Sequence, residues 1–108
     1  ELAFDKILNN LNNDEKYGQV TLGNFLYYPT VTREDYKNMG RVTDALYQNK
    51  VVKNYNLETF DKNLDSAMVC GSMDMNLELK DYFINELKCI EGNNKKRGDF
   101  VLERAFVD

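Results

Sequence analysis

The chain has 108 residues, 43% of them hydrophobic and 30% charged, with a net charge of −4, a single proline and no histidine. That length allows one small domain, which buries only about two-thirds of its unfolded surface, and the composition is globular rather than disordered. The acidic balance argues against nucleic-acid binding, which needs a basic surface to displace counterions, and the missing histidine excludes a histidine-based triad, a histidine-ligated metal and imidazole proton transfer.

Leu2, Ala3, Ile7, Leu8 and Leu11 recur at helical spacing and predict an opening helix of about three turns. The tract NNLNNDE (residues 9–15) is polar and turn-rich, and the continuous apolar run at residues 25–28 suits a strand covered on both faces. After Gly40, Thr43 is placed to cap a helix running to about Tyr47 or Gln48, with Asp44 at the positive end of its dipole. A polar connection, with a helical turn near residues 57–60, leads to a second buried-type strand at residues 67–70. Asp74 is placed as the next N-cap, and Met75, Leu79, Tyr82, Phe83 and Leu87 share one face of the longest helix. GNNKKRG (residues 92–98) reads as a loop and residues 100–107 as a final strand. The order α-β-α-β-α-β predicts an α/β fold, a parallel sheet flanked by helices.

No apolar stretch nears the roughly 18 residues of a membrane span, and no basic segment precedes an apolar core as in a secretory signal. Integral membrane contact is not expected, and the cytoplasm is the expected compartment. In that setting Cys70 and Cys89 read as free thiols.

Open parallel sheets bind ligands beyond the carboxyl ends of their strands. Arg33 follows the strand expected at residues 25–30, and Arg41 follows a glycine just before a helix start. Two guanidiniums on either side of a turn can converge on one phosphate, with Thr32 adding a hydroxyl donor. On spacing alone the commoner outcome is plainer: both arginines pair with Glu34, Asp35 or Asp44 on a solvated surface. The stretch MVCGSM (residues 68–73) ends a strand in a small residue and a glycine, where a ligand can approach the backbone. No base neighbours the Cys70 thiol in sequence, so packing is its simpler role. Met68, Met73 and Met75 suit core and loop packing, and Lys95-Lys96-Arg97 suits a solvated corner or the docking of an acidic partner.

Four segments in order, YYPTVTRE (27–34), GRVTD (40–44), MVCGSMDM (68–75) and GDFVLERAFVD (98–108), resemble the NADP-binding half of bacterial ferredoxin–NADP reductases, FAD enzymes that end in a short aromatic tail. The resemblance covers essentially the whole chain. It implies that Arg33 and Arg41 grip the 2′-phosphate of NADP, with Thr32 lining the same pocket. It also implies that Cys70 and Gly71 lie where the nicotinamide stacks near the flavin, the thiol shaping the hydride-transfer site without forming a covalent bond. Ser72 and Met75 would belong to the following nucleotide loop, where Met73 stands in place of a frequent proline. Ala105 would lie against the isoalloxazine, so Cys70 and Ala105 would be nearest the chemistry. Phe106 would stack toward the FAD adenine, with Val107 in the same tail.

By that resemblance residues 1–108 form the C-terminal portion of a Rossmann-like NADP-binding domain. The FAD-binding barrel and the domain's first two strands are absent, and those strands would lie between residues 25–30 at one edge and the two later strands at the other. Exposed strand edges would invite self-association. The implied function is electron transfer between NADPH and ferredoxin or flavodoxin through FAD, with the isolated fragment inactive. Alternatives are a non-catalytic nucleotide-binding or assembly module, and the reductase component of an oxygenase, against which the paired arginines and the two cysteines weigh.

Overall fold

The computed structural model describes residues 2–105, so Phe106 and Val107 lie outside the described residues. The element order is α1 (Asp5–Asn9), a 3-10 turn (Leu11–Asn13), α2 (Gly18–Thr21), α3 (Val42–Tyr47), α4 (Lys50–Asn54), β1 (Ala67–Gly71), α5 (Met73–Asp81), a π-helical turn (Tyr82–Glu86) and β2 (Phe100–Arg104). The chain divides into two compact units, Glu1–Tyr55 and Asn56–Asp108.

In the first unit the opening helix is shorter than its apolar spacing predicts. It stops at Asn9, where the Asn10 side chain donates Nδ2–H to the Lys6 carbonyl (3.1 Å) and competes with the continuing backbone ladder. Asn12 then turns its amide onto Phe25, accepting from the Phe25 N–H at Oδ1 (3.1 Å) and donating Nδ2–H to the Phe25 carbonyl (2.7 Å).

The strand expected at residues 25–30 is a correction: the run enters no β-ladder among the described residues. Every second carbonyl is nevertheless bound. That of Phe25 receives Asn12, that of Tyr27 the Tyr55 hydroxyl, that of Pro29 the Asn38 Nδ2–H (3.1 Å), and that of Val31 the Gly40 N–H (2.8 Å). A period of two belongs to an extended chain, so side-chain amides and a hydroxyl stand where a neighbouring strand's main chain would.

A second correction concerns α3. Arg41, in extended conformation, holds its N-cap position, while Thr43 lies inside the helix at 2% exposure and caps nothing; Asp44 is in the first turn as expected. The sequence did not foretell α4. Asn49 takes a left-handed φ of 57° between α3 and α4, a conformation asparagine tolerates, and the β-branched Val51 and Val52 weaken the local helix signal.

In the second unit β1 and β2 pair in parallel, from Ala67 opposite Phe100 to Gly71 opposite Arg104. Parallel neighbours need a long crossover, and α5 supplies it. Its N-cap is Ser72 rather than Asp74: Ser72 Oγ accepts the Met75 N–H (3.3 Å), and Asp74 sits in the first turn. Strand alternation buries Val69 and Gly71 and leaves Met68 and Cys70 exposed. Leu79 is buried on α5, and Phe83 stacks on Phe100 (5.0 Å between centroids, 18°) and meets Phe60 edge to face (5.6 Å). Burial of side chains of this size contributes about 1.5–3 kcal/mol each, so these few residues carry the unit. The helical turn expected at residues 57–60 is displaced: the chain turns at 62–64, where the Leu64 and Asp65 N–H groups donate to the Asp61 carbonyl (3.0 and 2.7 Å).

The α/β class is thus realised with a two-stranded parallel sheet and helices. Among the described residues no helix is long and apolar enough to cross a membrane.

Candidate functional site

The sequence-predicted residues fall into two groups, one in each unit. In the first, the Val31 N–H donates to the Asn38 carbonyl (3.1 Å) and the Gly40 N–H to the Val31 carbonyl (2.8 Å), closing residues 31–40 into a loop. Val31 is 1% exposed and anchors that loop in the core. Gly40 turns the chain into α3 at φ 114°, a value L side chains rarely adopt. Thr32 and Arg33 leave the closure after Val31, and Arg41 leaves it after Gly40; all three are exposed. The closure joins Val31 to Gly40, the residues that precede Thr32 and Arg41, and Arg33 follows one residue further along.

The second group stands at the shared carboxyl end of β1 and β2. The Ala105 N–H donates to the Gly71 carbonyl (3.0 Å), extending the pairing one residue beyond Arg104. Cys70, Gly71 and Ala105 are thereby brought together, with Ser72 opening α5 beside them. Cys70 is an exposed free thiol, and Ala105 is exposed too.

Gly71 serves the chain's own packing. A Cβ there would clash with the terminal methyl of Met75 and stand 3.1 Å from its sulfur and 3.5 Å from Asn76 Oδ1. The face of Gly71 toward α5 is thus filled by Met75, and the approach that glycine offers a ligand is not on that side.

Asn76 was not among the sequence-predicted site residues. It is 5% exposed, donates Nδ2–H to the Glu103 carbonyl (2.9 Å), and its Oδ1 has no partner among the described residues. The signal was available: Asn76, Leu79 and Phe83 recur at helical spacing, which puts a lone amide on an apolar stripe. Cys89 belongs to neither group. It is buried at 5% exposure, and burial, aided by the negative charge of Asp99, pushes its thiol pKa up.

No protein-family model matches the sequence. Curated relatives do. A flavodoxin/ferredoxin–NADP reductase of Rhodobacter capsulatus is 35% identical over 108 residues, covering 99% of this chain and 40% of its own length. Ferredoxin–NADP reductases of Azotobacter vinelandii and Pseudomonas aeruginosa are 36% and 35% identical, each covering 100% of this chain and 42% of its own length. The chain spans about two-fifths of the length of the curated relatives it matches. The similarity runs from end to end of the sequence, so the whole chain is similar to part of the length of ferredoxin–NADP reductases.

Proposed function

We propose that this chain is the C-terminal portion of the NADP-binding domain of a cytoplasmic, FAD-dependent reductase, which passes electrons between NADPH and ferredoxin or flavodoxin. The observation that carries this reading is the closed loop at residues 31–40, from whose mouth Thr32, Arg33 and Arg41 depart, in a chain whose relatives are named for NADP. Bound FAD supplies the exchange between two-electron hydride chemistry and one-electron transfer. The chain's own residues bind and orient. Arg33 and Arg41 hold the 2′-phosphate through charge-assisted hydrogen bonds, and Thr32 contributes its hydroxyl. Cys70, beside the Gly71 turn, offers the nicotinamide a small surface, the thiol limiting where the ring can sit and excluding water. Ser72 caps α5 and Met75 packs on Gly71, which keeps that turn in shape beside the nucleotide. Ala105 would help hold the flavin ring, and Phe106 and Val107, which lie outside the described residues, would hold FAD beside it, most of the FAD being held elsewhere.

The test uses the full reductase. Arg33→Ala and Arg41→Ala should each raise the KM for NADPH by about tenfold or more, the loss expected for a charge-assisted hydrogen bond, and leave that for NADH unchanged. An unaltered preference for NADPH over NADH would overturn the phosphate assignment.

A further inference from the structure

We propose that Asn76 is a positioning residue: through the Glu103 carbonyl it fixes the end of β2, and so sets Ala105 against the Gly71 turn. The inference rests on the reading above, in which Cys70 and Gly71 face the nicotinamide and Ala105 the flavin.

Three contacts converge on the strand ends. Asn76 donates Nδ2–H to the Glu103 carbonyl (2.9 Å), the Ala105 N–H donates to the Gly71 carbonyl (3.0 Å), and Asn76 Oδ1 lies 3.5 Å from where a Gly71 Cβ would stand. One amide on α5 therefore bonds to β2 and stands beside the last residue of β1. Glu103 and Arg104 are exposed, so apolar packing does little to hold the last residues of β2 in place. A directional hydrogen bond from a buried side chain replaces that packing. The energetics also point away from a purely stabilising role. A buried amide with its Oδ1 unpartnered loses stability that an apolar side chain of the same shape would retain. An asparagine at this position is explained by the direction of its Nδ2–H rather than by the stability it adds.

The experiment uses the full reductase with FAD bound. Asn76→Leu removes both the donor and the unpartnered oxygen while keeping the same heavy-atom branching, and Asn76→Asp removes the donor while keeping the shape. Three quantities are read: hydrogen exchange of the Ala105 amide by NMR, the hydride-transfer rate from NADPH in stopped flow, and the KM for NADPH. Both variants should speed Ala105 exchange and slow hydride transfer by about tenfold, the scale of a small misplacement of reacting groups, with KM changed less than about twofold. If the folded variants lose thermal stability while Ala105 exchange and hydride transfer keep their wild-type values, Asn76 is only structural and the proposal is overturned. Cys70→Val in the same assay separates the two readings. If it slows hydride transfer and the Asn76 variants do not, the positioning role alone fails. If it too leaves the rate unchanged, the placement of the nicotinamide at Cys70 and Gly71 fails, and this inference with it.

Discussion

Gly71 and Met75 compete for one space: a Cβ on Gly71 would fall closer than 3.0 Å to the terminal methyl of Met75. That methyl ends a flexible thioether chain and can turn aside, so Gly71→Ala should cost only about 1 kcal/mol, the low end of overpacking. In a Met75→Ala background the same change should cost close to nothing. A double-mutant cycle read by urea unfolding checks this, with a coupling of at least about 0.5 kcal/mol expected. Strictly additive costs would mean that something other than Met75 excludes the methyl.

Gly92 and Gly98 meet differently, backbone against backbone. A Cβ on Gly92 would stand 2.6 Å from the Gly98 nitrogen, and one on Gly98 2.6 Å from the Gly92 Cα. Neither obstacle can rotate away, and the Gly92 N–H is tied to the Phe100 carbonyl (2.8 Å) at the start of β2. Gly98→Ala should therefore cost about 3 kcal/mol, the upper part of the overpacking range. Chemical denaturation beside Gly71→Ala gives the comparison, and equal costs would refute the distinction.

Tyr55 ties the end of the first unit to its unladdered run. Its hydroxyl donates to the Tyr27 carbonyl, and its ring meets Tyr28 edge to face at 6.2 Å. Tyr55→Phe keeps the ring and removes the donor, so a loss of about 1 kcal/mol is expected, and Tyr55→Ala should lose clearly more because the ring contact goes with it. Amide exchange at Tyr28 should rise in the alanine variant more than in the phenylalanine one.

The two thiols should differ in reactivity and in their effect on stability. Cys70 is exposed and Cys89 is buried with its pKa raised, first by burial and then by Asp99, against an opposing pull from Lys62. Cys70 should react with a maleimide in the native protein while Cys89 reacts only on unfolding. The sign of the linkage follows from the raised value. Below the ordinary thiol range, about pH 8.5, Cys89 is neutral folded or unfolded and its contribution is fully present. As pH climbs toward the higher folded value, the unfolded chain ionises first and stability falls. Cys89→Ala should flatten that alkaline decline in a stability–pH profile.

Much of the fold was written in short-range pattern. The apolar run at residues 67–70 and the β-prone stretch from Phe100 marked two strands, and the Leu79–Phe83 spacing marked the helix that joins them, because residue type and periodicity within a few residues decide what can be buried. Caps were less legible. Ser72 and Asp74 are both good N-cap residues, and only the hydrogen bond from the Met75 N–H to Ser72 distinguishes them. The candidate site was legible as residue types: two arginines around a turn, and a cysteine–glycine pair at a strand end.

The sequence by itself determined the α/β class, the similarity to ferredoxin–NADP reductases and the residue types present at each candidate position, since these depend on side-chain type and local order. Only the tertiary structure decided that residues 25–30 find side chains rather than a strand beside them, that Met75 fills the space at Gly71, and that Asn76 reaches Glu103. A run's apolar pattern tells how it would pack, whereas the partner of each backbone carbonyl depends on which distant segment arrives alongside, and that is settled only when the whole chain closes.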